Sequence, residues 1–173
     1  PCDSLVDAPI TIKYEEKGEK KSWVPRNADR TYVGGNVGLK YAFAHSLNTI
    51  SVQLTQRIGI ENVINQAHEM GIQSPLDTVP SICLVSSDVT LLELTGAYCP
   101  IFNNGYRVAP MFVTRNEDKA GNVIKTFEPE KTKILDSVTV FLMQQMFLAS
   151  LSEPYGTTQN LFSSKIFGHE TDF

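Results

Sequence analysis

Glycine punctuates a run of helical periodicity, and that pairing most constrains what this chain can fold into. Ile50, Leu54 and Ile58 recur at i, i+4 and i+8, one face of a helix, and Gly59 follows where a C-terminal cap favours glycine. Val63, Ile64 and Ala67 gather in the same way over a short helix from Glu61 to Met70, which Gly71 ends. Upstream, Leu39, Ala42 and Phe43 mark the apolar side of a helix expected from about Asn36 to His45. Ser46-Leu47-Asn48 should separate the first two helices, because Ser and Asn compete for backbone hydrogen bonds and favour caps. Thr90-Leu91-Leu92-Glu93 reads as a capping box, followed by Leu91, Leu94, Tyr98 and Ile101 at helical spacing and closed by Asn104-Gly105. Pro100 falls inside that helix and should kink or weaken it. A last helix begins near Asp136 or Ser137, with Val140, Met143, Phe147 and Leu151 along its apolar side.

The remaining segments read as strands and turns. Residues from Ile10 to Tyr14 alternate apolar and polar, a strand pattern, and Lys17-Gly18-Glu19 is a polar turn. Turn formers fill 25–36, so that stretch should be irregular, as should Ser74 to Val89. Val108 to Arg115 and Val123 to Phe127 read as two strands of a hairpin joined through Asp118-Lys119-Ala120-Gly121-Asn122. After Glu153 the chain turns irregular again. The sum is an α+β fold, mainly helical, with no shift in composition that argues for two domains.

Charge and composition narrow the function. The 173 residues carry a net charge of -4, with lysines set among glutamates and no basic stripe with aromatic platforms, so nucleic acid is not expected as a partner. No apolar run approaches the ~18–20 residues that span a membrane. Cys2, Cys83 and Cys99 form no CxxC pair, and His45, His68 and His169 are scattered, so a metal site is not expected; no organic cofactor is implied either. Cys83 and Cys99 read as small core residues, although one bridge among the three thiols would suit an oxidising compartment. His45 stands next to Ser46, but neighbours in sequence do not face each other on a helix, so it reads as a helix-end histidine rather than the base of a dyad.

Taken in order, several blocks resemble one family. Trp23-Val24-Pro25-Arg26-Asn27, then Tyr32-Val33-Gly34-Gly35, then Leu39, Ala42 and Ser46-Leu47-Asn48-Thr49 are similar to the stretch around the second active-site motif of class A (bifunctional) penicillin-binding proteins. Pro80-Ser81 through Leu84, Val89 to Leu94, Ala97-Tyr98 and Phe102-Asn103-Asn104-Gly105 resemble a second block, and Gly156-Thr157 resembles the Gly-Thr ahead of the last motif. The resemblance implies the serine transpeptidase/β-lactamase-like fold and acyl transfer through three motifs, Ser-x-x-Lys, Ser-x-Asn and Lys-Thr-Gly. It assigns Ser46 to proton relay at the leaving amine, and Asn48 to holding the donor's amide and the catalytic lysine.

No serine here has a lysine three residues on, and Lys125-Thr126-Phe127 and Lys131-Thr132-Lys133 are not Lys-Thr-Gly. Residues 1–173 are therefore expected to be an interior part of a transpeptidase domain that lacks the segments with the first and third motifs. Alone it should not acylate. The resemblance further implies peptidoglycan stem peptides as substrate, β-lactams as inhibitors, cell-wall synthesis proteins as partners and the periplasmic face of the cytoplasmic membrane as location, held by an anchor outside this segment. Two departures stand out: Val85 where the family often has glycine, and Pro100 in a helix usually free of proline. They motivate an alternative, a non-catalytic module that keeps the fold to bind peptidoglycan or its synthesis partners. A soluble β-lactamase relative fits less well, because such a chain should carry all three motifs.

Overall fold

Along the chain run β1 (Ser4–Val6), β2 (Ile12–Glu16), β3 (Glu19–Trp23), β4 (Asn36–Gly38), α1 (Leu39–Ala44), α2 (Asn48–Ile58), α3 (Ile60–Met70), a 3-10 turn (Pro80–Leu84), α4 (Leu91–Phe102), β5 (Tyr106–Val108), β6 (Arg115–Glu117), β7 (Val123–Thr126), β8 (Lys131–Lys133) and α5 (Ser137–Ser152). The computed structural model describes residues 3–84 and 86–159. Cys2, Val85 and His169 lie outside them. The chain forms two compact units. One takes in the chain up to Ile64, Pro75–Asp88 and the chain from Leu142; the other takes in Asn65–Ser74 and Val89–Phe141.

The first unit is built on a small antiparallel pair. β1 and β4 set Leu5 opposite Val37, and both side chains join Ala42 and Ile50 in the core, with Leu39, Leu47 and Leu54 packed around them. Residues 36–38, expected to open the first helix, are thus strand, and α1 starts only at Leu39. Two things favour the strand: Val37 gains a cross-strand apolar partner in Leu5, and Gly38 takes an extended N-cap conformation at φ -67, ψ 149. α2 is the central helix, with Thr49, Ile50, Val52 and Thr55 buried, whereas Ile58 at its end is 54% exposed. The 3-10 turn packs against α2 within the stretch expected to be loop. β2 and β3 form a hairpin whose two turn residues, Lys17 and Gly18, have φ 53 and 82, as a type I′ turn requires.

In the second unit, α3 ends in a Schellman motif. The N–H groups of Gly71 and Ile72 donate to the carbonyls of His68 and Ala67, with Gly71 at φ 114. The capping box at Thr90 is present in both directions: Glu93 N–H donates to Thr90 Oγ1 (3.2 Å), and Thr90 N–H donates to Glu93 Oε2 (2.9 Å). Glu93 does more than the local motif asks, since it also accepts from the N–H groups of Gln73 and Ser74, both at 2.8 Å, and from the Ser74 hydroxyl. Pro100 is tolerated inside α4, which continues to Phe102. The residue four places earlier, whose carbonyl the proline ring crowds, is Gly96, and only the last turn lacks that bond.

The expected strand over 108–115 is split, with Pro110 in the gap between β5 and β6. β5 pairs with β8, while β6 pairs with β7 in the expected hairpin, closed by Asp118 accepting from the N–H groups of Ala120 and Asn122. Much of the apolar stripe of α4 is at the surface. Leu91 is 80% exposed and Leu94 44%, whereas Ala97 and Ile101 are buried. Cys83 is half-buried and Cys99 exposed, both free thiols, so neither is the core residue expected.

The hydroxyl of Ser74 first, then the N–H and hydroxyl of Thr90 and the N–H of Gln73, hold the Glu93 carboxyl well below the usual carboxylate range. A depressed folded value stabilises the folded state above the unfolded value, and the contribution is lost as pH falls through the folded one. Thr90→Ala is expected to cost about 1 kcal/mol at neutral pH. Glu93→Gln is expected to flatten the fall in stability below the ordinary glutamate value of 4.5. Amide exchange at Gln73, Ser74 and Glu93, followed from neutral to acid pH, reads both variants.

Candidate functional site

The corner between α1 and α2 is where the two singled-out side chains lie. α1 ends as α3 does. Ser46 N–H donates to the carbonyl of Phe43 (3.0 Å) and Leu47 N–H to that of Ala42 (2.9 Å), the two bonds of a Schellman motif. Ser46 occupies the position that glycine usually fills, with φ 52 in the left-handed region. A residue with a Cβ there costs roughly 1–2 kcal/mol.

The side chains of Ser46 and Asn48 do not act as helix caps. The N-cap of α2 is Leu47, with no side-chain capping bond, and α1 has none either. Asn48 is the first residue of α2, and its Nδ2 donates to the carbonyl of Arg26 at 2.8 Å. Ser46 is exposed and opens on a hollow of about 330 Å³ lined by Phe43, Phe147, Ser51, Ser150 and Thr158 among others. Phe43 and Phe147 meet edge to face, with centroids 5.3 Å apart. Thr158 Oγ1 donates to the Ser150 carbonyl at 2.8 Å. Thr157 N–H donates to the Ala44 carbonyl at 3.0 Å, so Gly156-Thr157 sits against the end of α1, two residues before Ser46.

The hollow offers hydroxyls and two aromatic rings, and among the described residues no ionisable side chain lines it. It can orient a polar ligand and pass a proton between hydroxyls, but its described lining residues include no base. His45 is not that base. Its ring stacks on Tyr41 with centroids 4.0 Å apart, and its Nε2 is buried without a hydrogen-bond partner among the described residues. Among the described residues no three His, Cys, Asp or Glu side chains gather as metal ligands, and no helix is long and apolar enough to cross a membrane.

Two residues behind the corner escaped the sequence reading. Asp7 is fully buried and Asn27 nearly so, and both bond directly to Thr49, next to Asn48. Asn27 stood in a block quoted above only for its resemblance, and nothing in composition or periodicity marks Asp7.

These helices and paired strands make up part of a serine transpeptidase/β-lactamase-like fold. A crystal structure of penicillin-binding protein 1A from Haemophilus influenzae superposes with a TM-score of 0.81 at 19% identity, over 94% of this chain and 29% of that one. An imipenem acyl-enzyme complex of penicillin-binding protein A from Mycobacterium tuberculosis superposes at 0.70 with 20% identity, over 86% of this chain and 38% of that one. The sequence profile of the penicillin binding protein transpeptidase domain matches residues 7–167, and the chain belongs to that family. Among curated relatives, penicillin-binding protein 1A of Aquifex aeolicus is 36% identical over 76% of this chain. Penicillin-binding protein 1B of Vibrio cholerae is 31% identical over 97% of it. The chain spans 18% and 21% of their lengths, respectively.

Proposed function

We propose that this chain is the interior part of a D,D-transpeptidase domain, in which Ser46 and Asn48 serve acyl transfer between peptidoglycan stem peptides. The observation that carries the reading is the placement of Ser46. Ser46 opens on a hydroxyl-lined hollow and stands at φ 52 in a Schellman position where glycine would be less strained, so the turn accounts for the left-handed backbone but does not call for a serine. In the proposed reaction a serine supplied by a flanking Ser-x-x-Lys segment attacks the D-Ala-D-Ala carbonyl. The lysine of that segment takes the proton of the attacking serine, and Ser46 relays a proton to the leaving amine as the amide C–N bond breaks, which leaves an acyl-enzyme that the amine of a second stem peptide opens. One N–H of the Asn48 Nδ2 is engaged by the Arg26 carbonyl, which leaves its second N–H and Oδ1 for the donor's amide and the catalytic lysine. A flanking Lys-Thr-Gly segment binds the substrate carboxylate.

The described residues that line the hollow include no base, which fits a nucleophile and lysine supplied by flanking segments, and the exposed Leu91 and Leu94 offer an apolar surface suited to further protein. By the same reading β-lactams acylate the flanking serine, and the domain works at the periplasmic face of the cytoplasmic membrane, alongside cell-wall synthesis proteins.

The test is fluorescent-penicillin labelling with intact mass, on the natural gene product that contains this segment and on the 173-residue chain as control. The gene product is expected to gain one penicilloyl group and the chain none. A folded gene product that takes no label overturns the enzyme reading in favour of the non-catalytic module. A labelled chain places the nucleophile within it, against the motif assignment.

A further inference from the structure

Buried behind the Ser46 corner is a polar cluster drawn from distant parts of the first unit. Asp7, at the end of β1, has no exposed surface. Its Oδ1 accepts from Thr49 Oγ1 (2.5 Å) and Asn27 Nδ2 (3.0 Å), and its Oδ2 accepts from Val33 N–H (2.8 Å). Its main chain is pinned as well: its N–H donates to the Gly35 carbonyl (3.0 Å), and its carbonyl accepts from Gly34 N–H (2.9 Å). Asn27 in turn donates to the Thr31 carbonyl (3.0 Å) and accepts from Thr49 N–H (3.3 Å).

Two features give this cluster a purpose beyond packing. First, the opening turn of α2 lacks a local side-chain cap. Its free N–H groups need acceptors, and Asn27, 22 residues upstream, supplies one at Thr49. Second, the dipeptide Arg26-Asn27 touches the first turn of α2 twice, through the Arg26 carbonyl on the Asn48 side chain and the Asn27 amide on Thr49. Residues 24–35 belong to no strand or helix, so pairing does not hold this dipeptide in place; Asp7 holds it through Asn27. Apolar residues would fill the space at less desolvation cost. Hydrogen bonds of fixed length and direction fix register instead.

We infer that Asp7, with Asn27 and Thr49, forms a positioning unit that sets the orientation of Asn48 and of the Ser46 corner for acylation. This rests on the reading of Ser46 and Asn48 as active-site groups. Asp7 is a positioning residue, since it touches the site only through Asn27 and Thr49.

The experiment measures the acylation rate constant at saturating penicillin, and the penicillin concentration giving half that rate, on the natural gene product. Thr49→Val keeps the shape of the side chain and removes the donor to Asp7. It is expected to slow the saturated rate about 10- to 100-fold, the scale of a small misplacement of catalytic groups, with little change in the half-saturating concentration. Thr49→Ser restores the hydroxyl and is expected to restore the rate. Asp7→Asn turns one acceptor oxygen into an N–H donor, and in either orientation that nitrogen meets the Asn27 amide or the Val33 N–H, which can only donate, so the loss is expected to match or exceed that in Thr49→Val. Ile50→Val disturbs the neighbouring buried position without touching the cluster, and should acylate at the native rate. An equal loss in Ile50→Val and Thr49→Val, or no rescue by Thr49→Ser, or a native rate in Thr49→Val overturns the inference. Native rates in Ser46→Ala and Asn48→Ala overturn the underlying reading instead. If Asp7→Asn does not fold, the Thr49 pair still decides.

Discussion

Ser46→Gly is expected to leave the protein at least as stable as before while abolishing most of its reaction with penicillin. Relief of the left-handed backbone at φ 52 returns roughly 1–2 kcal/mol. Against that stands the larger chain entropy glycine loses on folding, roughly 0.5–1 kcal/mol. The balance is neutral to favourable by up to about 1.5 kcal/mol, and glycine is the usual occupant of this place in a Schellman motif. The hydroxyl, by contrast, is the only group Ser46 brings to the hollow. Loss of a proton relay costs about 10²- to 10⁴-fold in the chemical step. Ser46→Ala should lose the same activity with no gain in stability, since its Cβ keeps the backbone cost. Thermal melts and the saturated rate of acylation, measured on the natural gene product, separate the two effects. Native acylation in both variants would remove Ser46 from the mechanism and leave it only as the left-handed residue that the Schellman turn requires.

The contrast between what could and could not be read ahead lies in sequence distance. The Thr90 box and the glycines after α2 and α3 are encoded within a few residues of where they act, and they appear where expected. The break at Ser46-Leu47-Asn48 was visible for the same reason, although its left-handed backbone was not. The pairing of β1 with β4 joins segments some thirty residues apart, and no local pattern distinguished Asn36-Val37-Gly38 from the start of a helix. Val108 to Arg115 looked like one strand because its apolar residues continue across Pro110. The structure instead gives β5 and β6 different partners, since a proline offers no N–H to a ladder. Asp7 is the sharpest case. A carboxylate after a short apolar strand looks like a surface residue, and only the convergence of Asn27, Val33 and Thr49 on it makes burial affordable.

In the second unit, Gly105→Ala is expected to be the most damaging small substitution, at about 3–4 kcal/mol or more, the range reached only by a few named mechanisms. Gly105 has φ 86, and a Cβ there would lie 2.0 Å from the carbonyl oxygen of Leu135 and 2.9 Å from its carbon. Those are backbone atoms, so no rotamer change makes room. The same carbonyl group cannot simply move away, because the Gly105 carbonyl accepts from the N–H groups of Ile134 (2.9 Å) and Leu135 (3.2 Å) while its own N–H donates to Pro100 (2.8 Å). Displacing 134–135 pulls on Lys133, whose partner across the β5–β8 pair is Tyr106, the residue after Gly105. The end of α4, the β5–β8 pair and the approach to α5 therefore depend on one missing Cβ. Gly121→Ala is the matched control. Its φ is 85, but a Cβ there meets nothing within 4 Å, so it should cost only the left-handed penalty of roughly 1–2 kcal/mol. Denaturant unfolding of the two variants, with amide exchange at Ile134 and Leu135, measures the difference. Equal losses in both would mean that backbone conformation alone matters and that the close approach to Leu135 contributes nothing. A larger loss in Gly105→Ala, with protection at Ile134 and Leu135 falling first, assigns the excess to that contact.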